Sequence, residues 1–173
     1  ALGILEKAKV KSEFHAAKTY LTISRIFFIE GKLSEAYNFQ KRAIDIQERT
    51  FGKESDTAAA TYLNFANTCA ALSKNEEALL NYEKAINIIR KIHGEKSSFE
   101  GQFLTQRAML QKKIGDTTEA EESLRTALEI FEKESDGLAW HKALILWELA
   151  QFAFKRGSEE DVFEGFSLLD KAI

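Results

Sequence analysis

The chain predicts an all-α fold, a solenoid of antiparallel helix pairs, and three observations carry that expectation. The pattern of "GKLSEAYNFQKRAI" from Gly31 returns as "SKNEEALLNYEKAI" from Ser73 and "GDTTEAEESLRTAL" from Gly115, with Gly157 next, so each start lies 42 residues after the last. A fixed period of this size marks a repeat architecture. Within each copy the apolar residues recur at helical spacing, as in Ala36, Phe39, Ala43 and Ile44, and again in Ala78, Tyr82, Ala85 and Ile86. The 173 residues contain no proline, which suits long helices joined by short turns.

The turns come next. Glycine at 31, 115 and 157 stands where one helix must stop and the chain reverse, because glycine enters the left-handed conformation without a side-chain clash. Ser73 occupies the same place and predicts a strained or differently built turn. Ser73 with Glu76, and Thr118 with Glu121, match the Ser/Thr-x-x-Glu capping box and predict the starts of the following helices. Upstream of each turn lies a second periodic set: Tyr20, Ile23, Ser24, Phe27; Tyr62, Phe65, Ala66, Cys69; Leu146, Leu149, Ala150, Ala153. The small residues at 24, 66, 108 and 150 keep the 42-residue spacing and predict close helix crossings.

The paired pattern is large-x-x-large-small-x-x-filler, then Ala-x-x-x-large-x-x-Ala across the turn. It is similar to the tetratricopeptide repeat, and the match covers nearly the whole chain. The 42-residue period resembles the long repeats of kinesin light chains and of clustered-mitochondria proteins, in which a segment like "RAIDIQERTFG" (Arg42 to Gly52) leads into the next pair. Where those families often carry a His-Pro step, this chain has Ser55-Asp56 and Ser97-Ser98. The resemblance implies a right-handed superhelical solenoid. Residues 1–14 read as the second helix of a preceding repeat, followed by repeats over 15–57, 58–100, 101–137 and 138–173. The last needs three residues inserted in its turn around Glu160 to Phe163. Both ends fall inside a repeat and neither has a polar cap, so the chain reads as a fragment of a longer array.

Composition limits the chemistry. With 45% hydrophobic and 29% charged residues the chain is globular, and a net charge of −3 gives no general attraction to nucleic acid or anionic membrane. No apolar run approaches the roughly 18 residues of a membrane span. The single cysteine, Cys69, sits at the filler place of its repeat, as a buried hydrophobe in a reducing, cytoplasmic setting would. His15, His93 and His141 lack the spacing of a metal site. The Gly-Lys of "FGKES", Phe51 to Ser55, lacks the earlier glycine of a phosphate loop, since Ile46 stands there, and reads as an inter-repeat turn. The carboxylates Glu76-Glu77 and Glu121-Glu122 read as a solvated face. No catalytic constellation emerges, and neither a cofactor, a metal nor a small-molecule substrate is expected.

Function therefore falls to surface. The resemblance implies that the first helices line a concave groove, whose non-core positions are Lys18, Leu21, Thr22, Arg25 and Phe28, then Ala60, Leu63, Asn64, Asn67 and Ala71. The row continues with Gln102, Thr105, Gln106, Met109, Lys112 and Lys113, then Leu144, Trp147, Glu148, Gln151, Phe154 and Lys155. A peptide-binding role is expected for Lys18, Arg25, Asn64, Asn67, Gln102, Gln106, Lys112, Lys113, Trp147 and Gln151. The carboxylate clamp of chaperone-binding repeats is not matched, because Leu21, Arg25, Asn64, Gln102 and Gln106 fill its places and only Asn64 fits. The backbone-holding asparagine ladder of kinesin light chains is partial, reading Thr22, Asn64, Gln106, Glu148. Lysines 18, 112, 113 and 155 with Arg25 outweigh Glu148 and favour an acidic protein segment. RNA, met by the same basic and aromatic groups in a protein of the clustered-mitochondria type that distributes mitochondria, is the competing expectation.

Overall fold

The structure is a computed structural model that describes residues 2–50, 54–133 and 139–172, the side chains of residues 2–8 and Thr50 excepted. The described residues form eight α-helices and no strand. In order these are α1 (Leu2–Ile29), α2 (Leu33–Thr50), α3 (Asp56–Ala71), α4 (Asn75–His93), α5 (Ser98–Ile114), α6 (Thr117–Glu132), α7 (Ala139–Arg156) and α8 (Glu159–Ala172). They fall into two compact units, residues 1–92 and 93–173. In the first, α1 packs on α2 and α2 on α3; in the second, α5 packs on α6, α6 on α7 and α7 on α8.

The chain reversals repeat bond for bond. Lys32 N–H donates to Phe27 O at 2.8 Å and Gly31 N–H to Phe28 O at 3.1 Å, closing α1 on a left-handed residue. The same two bonds recur 42 residues on, from Lys74 to Cys69 at 2.8 Å and from Ser73 to Ala70 at 3.1 Å. They return from Asp116 to Gln111 at 2.9 Å and from Gly115 to Lys112 at 3.3 Å. Gly31, Gly115 and Gly157 hold φ of 74°, 97° and 81°, and Ser73 is forced to 60°. The strain expected at Ser73 is present in its backbone.

The helix starts differ from the sequence expectation. Ser73 is the left-handed stop residue rather than a cap, and α4 begins two residues later at Asn75. Thr118 lies inside α6, whose cap position is Asp116 without a side-chain bond. The capping-box spacing is met in both places, but the reversal sets the helix start and puts the hydroxyl out of register. The side-chain caps are instead Ser55, accepting from Ala58 N–H at 3.1 Å, and Ser97, accepting from Glu100 N–H at 3.4 Å. Glu100 reaches back to accept from Lys96 N–H at 2.6 Å. The serines at the two departures from the family pattern thus start α3 and α5.

Two further expectations are corrected. No helix break separates residues 2–14 from residue 15 onward, because α1 runs unbroken through "KAKVKSEFHAAK", which holds neither glycine nor proline. Near the other end, the residues around Glu160 to Phe163 lie in the first turn of α8, not in the turn before it. Val162 stands where Ala36, Ala78 and Ala120 are wholly buried, yet it is exposed, and Gly165 and Leu168 are buried instead. Three extra residues make nearly one helical turn, so the buried face resumes three places later. Residues 51–53, within the Gly-Lys stretch and the "RAIDIQERTFG" segment, and 134–138, at the join of the last two repeats, lie outside the described residues.

The core of each unit is made by alanines packed among larger side chains. Ala36, Ala43, Ala78, Ala85, Ala120 and Ala127 are fully buried, as are the small crossing residues Ser24, Ala66, Ala108 and Ala150. Gly101 in α5 takes the place of Ala17 and Ala59, and a Cβ there would lie 2.9 Å from Cε1 and Cζ of the buried Phe131 ring. Gly101→Ala should therefore destabilise the protein by about 1–3 kcal/mol through overpacking, although alanine is the better helix former by about 1 kcal/mol. A raised urea midpoint would refute that packing argument. Ser73→Gly should act oppositely, stabilising by about 0.4–1 kcal/mol in the same unfolding assay, because it removes left-handed strain.

Candidate functional site

In the first unit, residues of α1 and α3 line a cleft of about 360 Å³. Lys18, Leu21, Thr22, Arg25 and Phe28 line it from α1, with Thr57, Ala60, Asn64 and Asn67 from α3. Four of the expected peptide-binding residues, Lys18, Arg25, Asn64 and Asn67, are thereby gathered in one place. Lys18 and Arg25 are seven residues apart, two helical turns on one face, and both are exposed. No carboxylate lies among the lining residues.

Sequence reasoning missed one wall. Gln40 comes from α2, a second helix, and lines the cleft although only 4% of the residue is exposed. The signal was available: at 42-residue spacing its counterparts are Tyr82 and Leu124, so an amide occupies a core position.

Asn67 is not an open groove amide. Its Oδ1 accepts the hydrogen bond of the Tyr82 hydroxyl, which ties α3 to α4. Burial, followed by the electrostatic effect of Cys69, pushes the Tyr82 hydroxyl up to about 12, so it remains a donor. Asn64 is exposed and keeps its side chain at the cleft wall. Cys69 lies behind them fully buried, its thiol raised to about 12 by burial and then by the charge of Glu77, which makes it a poor nucleophile.

The second unit holds the remaining expected residues and uses several of them internally. Lys112 Nζ donates to Glu148 Oε2 at 2.5 Å and to Gln151 Oε1 at 2.9 Å, joining α5 to α7. Lys112 is thus no open cation, and Gln151 has one acceptor engaged. Thr105 is buried, its hydroxyl donating to Gly101 O at 2.9 Å, because its turn of α5 faces inward. Gln102 and Gln106 are half-buried, Lys113 is exposed, and Trp147 on α7 is 54% exposed.

A larger cleft of about 620 Å³ lies elsewhere in this unit, lined by α6 with Phe152, Lys155 and Arg156 of α7, and contains none of the expected peptide-binding residues. Its guanidiniums are already held. Arg125 bonds Glu121 Oε1 at 2.7 Å and Glu164 Oε1 at 2.6 Å, while Arg156 bonds Glu121 Oε2 at 2.8 Å and Glu164 Oε2 at 2.6 Å. Asp161 adds a further bond to Arg156 at 2.6 Å. Glu121, expected on a solvated face, instead joins α6 to α7. Among the described residues no group of three or more His, Cys, Asp or Glu could hold a metal ion, and no helix is long and apolar enough to cross a membrane.

The two asparagines should separate in stability measurements. Asn67→Ala strands the buried Tyr82 hydroxyl and should cost about 1–3 kcal/mol, whereas the exposed Asn64→Ala should change stability by less than about 0.5 kcal/mol. Equal melting of the two variants would contradict the Tyr82 bond.

Solved structures show the same fold. BtubC (BKLC) from P. vanneervenii superposes with a TM-score of 0.83 at 21% identity, covering 90% of this chain and 61% of its own. The kinesin light chain with nearly identical TPR-like repeats from Podosopora anserina gives 0.76 at 21% identity, covering 90% of this chain and 72% of its own. This chain thus spans 61% of the length of BtubC. No curated protein matches it in sequence. The family model described as tetratricopeptide repeat matches residues 15–91 and 59–133, more than half of the chain. The chain therefore belongs to the tetratricopeptide repeat family.

Proposed function

We propose that this protein is a non-catalytic interaction scaffold of the cytoplasm, and that the cleft of its first unit takes an extended, acidic segment of a partner protein. One observation carries the reading. Lys18 and Arg25 stand on one face of α1 above a cleft whose lining contains no carboxylate, beside the exposed amide of Asn64 and the hydroxyls of Thr22 and Thr57. Cations without a local counter-charge attract carboxylates, and amides and hydroxyls donate to and accept from a peptide backbone. Membership of a family of helical-repeat scaffolds supports the same role. The second unit is the weaker candidate, since Lys112 is neutralised by Glu148.

A random dodecapeptide display on the folded chain tests this. Acidic sequences should be enriched, and Lys18→Glu with Arg25→Glu should weaken the selected peptides by about tenfold or more with folding unchanged. Polyuridylate is the counter-probe. If it binds with steep salt dependence while acidic peptides do not, nucleic acid rather than a protein segment is the ligand.

A further inference from the structure

The first unit carries a buried polar atom that nothing in the fold employs. The Gln40 Oε1, shielded from solvent at the wall of the cleft, has no hydrogen-bond partner. Buried polar atoms in folded proteins are nearly always paired, because an unpaired acceptor has lost its water and gained nothing in return.

The repeats supply their own comparison. Residues 25 and 40 recur 42 places on as Asn67 and Tyr82, and again as Met109 and Leu124. In the middle copy the pair is hydrogen-bonded, the Tyr82 hydroxyl donating to Asn67. In the third copy both members are apolar and have no polar group to satisfy, and in the fourth Gln151 accepts from Lys112. Only the first copy combines an unpaired buried carboxamide oxygen with an exposed arginine, and both of these residues line the cleft.

We infer that Gln40 is a ligand-reading residue whose carboxamide oxygen accepts a backbone N–H from the acidic segment held by Lys18 and Arg25. This rests on the peptide reading of the cleft given above. The chemistry is complementary: the cations take the segment's carboxylate, and the acceptor takes the donor that a peptide group presents beside it. The terminal torsion of glutamine is soft, so the oxygen turns into the cleft without disturbing α2. Such an arrangement discriminates by hydrogen-bond donor as well as by charge, since a ligand without an N–H at that point leaves Oε1 unpaired.

Gln40→Leu removes the unpaired acceptor with little change in volume and tests the inference. Its Tm should equal or exceed that of the wild type, while the acidic peptides selected by display should bind about tenfold more weakly or worse. If Gln40→Leu binds these peptides as the wild type does while Lys18→Glu with Arg25→Glu loses them, the role of Gln40 is overturned and the cleft reading stands. Peptides unaffected by either change place the site elsewhere, and both ideas fall. Should Gln40→Leu fail to fold, Gln40→Met supplies a flexible apolar replacement. Melting of both variants well below the wild type would show that the carboxamide is structurally engaged, which also overturns the inference.

Discussion

One backbone conformation underlies the whole architecture, a single residue with positive φ at the end of each first helix. At Gly31, Ser73 and Gly115 it turns the N–H groups of itself and its successor back onto the helix it closes, so the reversal is complete within two residues. That short turn leaves the next helix no choice but to run antiparallel against its partner, and it sets which face of that helix meets the core. The small crossing residues, Ser24, Ala66, Ala108 and Ala150, and the alanines at 36, 78 and 120 are buried because the reversal brings the two helices together there. The demand is strict enough that Ser73 accepts a left-handed backbone to meet it.

Contacts between successive pairs are individual, although the pairs themselves are periodic. In the first unit the Tyr37 hydroxyl meets Glu77 at 2.9 Å, its ring lies 5.0 Å from that of Phe65, and the Lys74 ammonium sits 3.7 Å over its face. Between α2 and α3, the Tyr62 hydroxyl finds Glu48. In the second unit the corresponding work falls to the Arg125, Arg156, Glu121 and Glu164 cluster and to Lys112 with Glu148. Aromatic and hydrogen-bonded contact joins the pairs in one unit and charge pairing in the other, so salt screens the second more than the first.

This difference underlies the proposal that the cleft of the first unit is the binding site. Where the second unit uses Lys112, Arg125 and Arg156 in holding helices together, the first leaves Lys18 and Arg25 above a lining without carboxylates. Its successive pairs are joined through the Tyr37 and Tyr62 side chains, which lie outside the cleft lining.

The sequence by itself determined the helices, the period, the places of reversal and the small crossings, because these depend on local backbone preference and on a pattern that recurs every 42 residues. Ser73 was legible as an irregular turn for the same reason. The 42-residue register puts Lys18 and Arg25 on one face of α1, since residues seven apart on a helix share a face, and these two line the cleft together with Asn64 of α3. Only the tertiary structure decided which of the groove groups face a neighbour instead of solvent. Asn67 and Lys112 have the chemistry of ligand-binding residues, but Tyr82 lies fifteen residues away and Glu148 thirty-six, and no local pattern relates them. Gln40 was hidden for a like reason: it sits on a second helix, and its place at the cleft follows from packing of α2 behind α1 and α3. Pairing of polar groups across helices is a matter of three-dimensional proximity, which helical periodicity constrains by face but cannot assign by partner.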